Sequence, residues 1–185
     1  VSAADPEDRA LVARALSGDQ SAYAELMQRH REAVYRLARG HIGDADEALD
    51  MTQEAFIAAF AALPRYDGAR SFRAWIAQIA LNKCRDWARR RAVRRFFTGA
   101  RPIDEALGIS DQRATPEEAL DSAQALARIN AAVAALPATL KDPLLLCAIE
   151  GMSQVEAGQV LGVTPKAIET RLYRARAKLN AMLRD

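Results

Sequence analysis

The sequence predicts an all-α protein: two small helical domains joined by a flexible linker, the second a four-helix domain containing a helix-turn-helix. Three observations predict it. Apolar residues make up 50% of the chain but aromatic residues only 6%, and alanine is abundant. Helices favour alanine and leucine, whereas sheets favour β-branched and aromatic side chains. Apolar residues also recur at spacings of three and four along most of the chain, the period of a helix with one buried face. Finally, the charge is partitioned. Residues 1–97 carry 16 basic and 13 acidic groups, residues 98–135 carry 3 and 6, and residues 136–185 carry 7 and 5. Two basic lobes thus flank an acidic connector. The expected boundaries are a helical domain at 1–97, a linker at 98–115 and a second domain at 116–185, a division that 185 residues allow.

Taken in order, residues 1–6 are expected to fray, and Leu11, Val12 and Leu16 carry a short first helix. Ser17-Gly18-Asp19 breaks it, and Asp19 or Ser21 caps the next helix. There Ala22, Leu26, Ala33 and Leu37 keep a helical period. His30 is read as a surface or interhelical hydrogen-bonding group. Gly40 to Asp44 is expected to be a loop. A third helix spans about 45–63, with Leu49, Thr52, Phe56 and Leu63 on its buried face. Asp50, Gln53, Glu54 and Ile57 project together from another side. That acidic side is read either as helix-start capping and solvation or as a docking face for a basic partner.

After the loop LPRYDGAR, Ser71 caps a long helix whose residues 83–95 hold seven basic groups and one acidic group. This density, with Trp87 beside it, points to a phosphate track, although charge runs are often only solvated faces. Tyr66, Phe72 and Trp75 fit either a core or a receptacle for unstacked bases. Phe96 and Phe97 begin the connector as a core plug or a partner contact. Thr115-Pro116-Glu117-Glu118 then has the form of a cap, a first-turn proline and first-turn acids. A helix follows to Ala135, Leu136-Pro137 ends it, and Pro143 starts another that Gly151 closes.

The C-terminal stretch SQVEAGQVLGVTPKAIETRLYRARAKL holds the sharpest local signal. Ser153 and Glu156 form a capping box. Gly162 stops the first helix, and Thr164-Pro165 restarts the chain as cap and first helical residue. In the second helix Ile168, Leu172, Ala175 and Leu179 share one face. Lys166, Thr170, Tyr173 and Arg174 lie opposite, with Arg171 on one flank and Glu169 and Arg176 on the other. A basic, hydrogen-bonding face on the second helix of such a hairpin fits a DNA major groove; the alternative is a solvated hairpin.

Several function classes are excluded. Cys84 and Cys147 lack partners at metal-ligand spacing and are read as free buried thiols. There is no apolar run of about 20 residues, so no membrane insertion is expected, and the acidic-polar N-terminus lacks the form of a signal peptide. No nucleotide-binding glycine loop, hydrolase triad or metal cluster is present, so no cofactor and no enzyme activity are expected. The expected location is cytoplasmic.

The two halves together resemble a bacterial sigma-70 family RNA polymerase sigma factor of the extracytoplasmic-function group, over about residues 8–183. DADEALDMTQEAFIAAF looks like the family's core-polymerase-binding helix. YDGARSFRAWIAQIALNKCRDWARRR looks like its promoter-melting, −10-reading segment. LPATLKDPLLLCAIEGMSQVEAGQVLGVTPKAIETRLYRARAKL looks like its −35-reading domain. The resemblance implies that Asp50, Gln53, Glu54 and Ile57 dock on the polymerase core, whose β and β′ subunits are the expected partners. It implies −10 DNA contacts from Tyr66, Phe72, Trp75, Asn82, Lys83, Arg85, Arg89 and Arg90. It implies −35 DNA contacts from Lys166, Glu169, Thr170, Arg171, Tyr173, Arg174 and Arg176, with the arginines open to phosphate or base roles. An anti-sigma factor is an implied partner. Two departures stand out. Glu169 replaces a more common basic residue: its carboxylate either accepts from a cytosine amino group and alters the −35 preference, or only caps and pairs locally. Ala157-Gly158 predicts slightly looser packing, since a helical glycine costs about 1 kcal/mol relative to alanine. Two other classes fit parts of the chain: an autonomous helix-turn-helix regulator, and an interaction module that mimics one.

Overall fold

Short capping side chains set most helix starts. Asp5 accepts from the Glu7 amide with Pro6 opening the helix, Asp19 accepts from Ser21, and Asp44 accepts from Glu47. In the computed structural model, which describes residues 5–98 and 116–184 (side chains of 5–94 and 124–184), the described elements are helical. They are α1 (Pro6–Leu16), α2 (Gln20–Ile42), α3 (Ala45–Ala62), α4 (Phe72–Thr98), α5 (Pro116–Ala135), α6 (Ala138–Leu144), α7 (Gln154–Leu161) and α8 (Pro165–Arg184). A tight 3-10 turn occupies Leu63–Arg65 and a wide π turn occupies Leu145–Ile149. Of the linker read at 98–115, Thr98 closes α4 and residues 99–115, with the cap read at Thr115, fall outside the described residues; Phe96 and Phe97, read as a plug, lie on the last turn of α4, their side chains outside the described ones.

Three expectations need correction. The loop read from Gly40 is helix: α2 runs to Ile42, and only Gly43, at φ 87°, takes the left-handed conformation that ends it. Gly40 serves packing instead. A Cβ there would lie 2.6 Å from Leu145 Cδ2, so the missing side chain lets the π turn sit against α2. Pro143 does not start a helix but lies inside α6. A proline in that position removes an intrahelical hydrogen bond, and the chain continues past it in the wider turn. Leu49, placed on the buried face of α3, is 50% exposed.

The N-terminal helices pack around Leu26, Leu37, Phe56, Ala59, Phe72, Ile76 and Leu81, all buried. The C-terminal helices pack around Leu145, Leu146, Val160, Ile168, Leu172 and Ala175. Each fully buried large apolar side chain stabilises the fold by about 1.5–3 kcal/mol. These residues form one continuous cluster across both halves, and α2 and α4 touch α5, α7 and the π turn. Buried acids of the C-terminal half bind cations of the N-terminal half across that contact. Glu150 lies 3.3 Å from Arg36 and 3.6 Å from Arg73, and Asp142 accepts from Arg85 Nε at 2.8 Å.

Candidate polymerase and promoter interfaces

The side of α3 read as a docking face lies open to solvent. Asp50, Gln53, Glu54 and Ile57 are all exposed, Ile57 at 67%. The fold adds two residues that the sequence did not assign to it. Leu49 and, from α2, Met27 are both exposed and line a groove with Arg31, Tyr35 and Gln53. The face is therefore mixed, with apolar side chains among carboxylates and amides. Glu54 is not entirely free, because Lys83 Nζ of α4 donates to it at 3.0 Å.

On α4 the basic run divides. Arg89 and Arg90 are exposed, each held to Asp86, one through its carboxylate and the other through its carbonyl. Asn82 is exposed and accepts from Arg85 Nη1 at 3.0 Å. Arg85 itself is turned toward Asp142. Trp87 is not an open platform: it is buried, its Nε1 donates to Glu47 at 2.6 Å, and the Arg91 guanidinium lies over its ring. The aromatic cluster resolves similarly. Phe72 is 0% exposed, so its proposed DNA contact is corrected to a core role. Tyr66 and Trp75 are half-buried, with ring centroids 4.9 Å apart, and both lean on Phe72. His30, between charged neighbours in sequence, binds Asp8 of α1 at 3.1 Å in the interior.

The C-terminal hairpin forms as its residues dictate. Ser153 and Glu156 make both hydrogen bonds of the capping box, and Gly162 closes α7 at φ 67°. Gly158 does not loosen the packing. A Cβ there would meet the Val163 carbonyl oxygen at 2.7 Å, so this glycine lets the turn fold back onto α7. On α8, Ile168, Leu172 and Ala175 are buried, while Lys166, Glu169, Thr170, Tyr173, Arg174 and Arg176 are exposed and Arg171 is half-buried. Lys166 Nζ donates to Glu169 at 2.8 Å, and the Thr170 hydroxyl donates to the Lys166 carbonyl.

Comparison with known proteins fits this division. The family model described as Sigma-70 region 2 matches residues 26–94, and that described as Sigma-70, region 4 matches residues 126–179. The chain is 41% identical over 184 residues to the RNA polymerase sigma factor CnrH of Cupriavidus metallidurans, covering 97% of this chain and 96% of the relative. It is 40% identical over 182 residues to NccH of Alcaligenes xylosoxydans xylosoxydans, covering 98% and 97%. This chain belongs to the sigma-70 family.

The sigma factor falls in the extracytoplasmic-function group, beside the CnrH and NccH type. Among solved structures it resembles CnrH in complex with the cytosolic domain of CnrY, with a TM-score of 0.69, 36% identity and 96% and 97% of the two chains covered. A sigma factor is the promoter-specificity subunit of bacterial RNA polymerase and is not an enzyme. Region 2 of this sigma factor spans the α2–α4 core, and region 4 takes in the capped hairpin. Among the described residues, no helix is long and apolar enough to cross a membrane, and no cluster of His, Cys, Asp and Glu has the makings of a metal site.

Proposed function

We propose that this sigma factor docks on core polymerase, through contacts with β and β′, by the Asp50, Gln53, Glu54 and Ile57 face of α3, extended by Leu49 and Met27. Half-exposed Tyr66 and Trp75, with Asn82, Lys83, Arg85, Arg89 and Arg90, engage −10 DNA. The exposed side of α8, from Lys166 to Arg176, enters the major groove at the −35 element. The functional domains are 1–97 and 116–185, with 98–115 as the tether between them. The protein works in the cytoplasm, and an anti-sigma factor holds it inactive, by analogy with CnrH, solved in complex with the cytosolic domain of CnrY.

One observation carries the reading. α8 has a buried apolar side locked into the region 4 core and an opposite side rich in exposed donors and acceptors. A helix so held presents side chains to base edges at a fixed angle. The α3 face supports it in the same way, since Met27, Leu49 and Ile57 together leave several large apolar side chains exposed among carboxylates and amides.

Reconstitution tests the polymerase side. Asp50→Lys reverses a charge at an exposed position. Initiation from a matched promoter by bacterial core polymerase with this chain should fall at least about tenfold, with loss of co-migration with core. Full activity in that variant would remove α3 from the docking surface.

A further inference from the structure

The side chains at the start of α8 are arranged as a pair. Lys166 donates to Glu169 at 2.8 Å, and both remain largely exposed, at 80% and 54% of the side chain. Thr170, which shares that end of the helix, has its hydroxyl proton committed to the Lys166 carbonyl. The base-facing end of the helix therefore offers one cationic donor and one anionic acceptor, side by side and about as far apart as a single hydrogen bond.

A base pair offers the complementary arrangement. In a G·C pair the guanine O6 acceptor and the cytosine N4 donor sit next to each other in the major groove, separated by their Watson–Crick hydrogen bond of about 2.9 Å. An A·T pair also sets an acceptor, thymine O4, beside a donor, adenine N6. The flanking atoms differ. Guanine places N7 next to O6, a second acceptor for a three-donor ammonium, whereas thymine places its methyl group next to O4. The ammonium is thus better served by G·C. We propose that Lys166 and Glu169 read one G·C base pair of the −35 element as a unit, the ammonium donating to guanine O6 and N7 and the carboxylate accepting from cytosine N4. The inference rests on α8 being the −35 reader.

The pair carries no net charge, and this separates it from a phosphate clamp. A lone lysine near DNA releases counterions and steepens the salt dependence of binding by about 0.9 per phosphate met. The ion pair contributes specificity with almost none of that. Glu169 also holds Lys166 away from neighbouring phosphates, so removing the carboxylate should convert a base reader into a general cation.

The experiment uses the full chain with bacterial core polymerase on duplex promoters randomised across the −35 element, with equilibrium competition read by sequencing. The wild type should favour G·C at one position by about tenfold, the range of one good paired contact, and should disfavour the inverted pair. Glu169→Gln should reduce that preference to near parity at this position alone and steepen the salt slope by about 0.9. The double variant Lys166→Met, Glu169→Gln should lose the preference but keep the wild-type slope. A G·C preference that survives in both variants, or a loss spread evenly over every position, overturns the pair as a reader. Absence of any −35 preference in the wild type overturns the assignment of α8 itself, and the inference with it.

Discussion

Cys84 sits on α4 with no exposed surface, and burial, reinforced by the nearby Asp142 carboxylate, pushes its thiol up to about 12. The unfolded chain has no such environment, so its thiol ionises near the ordinary value of about 8.5. Between the two values the unfolded state releases a proton that the folded state keeps. Stability is then lost as pH rises through this window, by up to about 1.4 kcal/mol per pH unit, and the effect is absent below it. Urea unfolding at about pH 8 and about pH 10.5 should therefore show a larger loss for the wild type than for Cys84→Ala. Parallel losses would place the titration elsewhere. Burial also keeps the thiol protonated and inert, as the sequence reading of free cysteines expected. Cys147 is half-buried and shifted in the same direction for the same reason.

At the scale of elements, the capped hairpin was legible because its signals are local. Ser153, Glu156, Gly162, Thr164 and Pro165 each act on the backbone within four residues of themselves. Gly158 was misread because its role is not local in that sense: it is set by where the turn after α7 returns. The same holds for Gly40, whose neighbour is more than a hundred residues away. Gly158→Ala should accordingly destabilise the protein by about 1–3 kcal/mol, the cost of forcing a methyl group against packed backbone, instead of improving helix propensity. Thermal unfolding followed by circular dichroism measures it, and a raised melting temperature would show that the turn yields easily. The site residues divide along the same line. The exposed sides of α3 and α8 follow from periodicity. The withdrawal of Phe72 and Trp87 into the interior does not, since an aromatic beside arginines satisfies both patterns.

The whole molecule shows a conflict of duties. Arg85 is held by Asp142, and Arg36 and Arg73 by Glu150, with both acids nearly fully buried between the halves. Arg85 gives Nε and Nη2 to Asp142 and Nη1 to Asn82, so turning its guanidinium onto a promoter phosphate requires the C-terminal half to release it. None of this was visible in sequence, because Asp142 and Arg85 carry no motif and are 57 residues apart. The acids are buried while the three arginines keep 36–43% of their side chains exposed, so losing an acid leaves a cation that water can serve and costs less than the about 3–5 kcal/mol of a fully buried pair. The double variant Asp142→Ala, Glu150→Ala should separate the halves, with a larger radius of gyration in solution scattering and little change in helical content. Unchanged dimensions would show that apolar packing alone holds them.

Lys141 gives this contact a further property. Its buried ammonium donates to the carbonyls of His41, at 3.0 Å, and Ala134, at 2.6 Å, which lie in the last turns of α2 and α5. One cation thereby closes two helix ends from opposite halves of the chain, each carrying the partial negative charge of its dipole. Fraying at either end weakens the anchorage of the other. The two regions thereby share a polar anchor as well as an apolar core, an arrangement that favours their melting together.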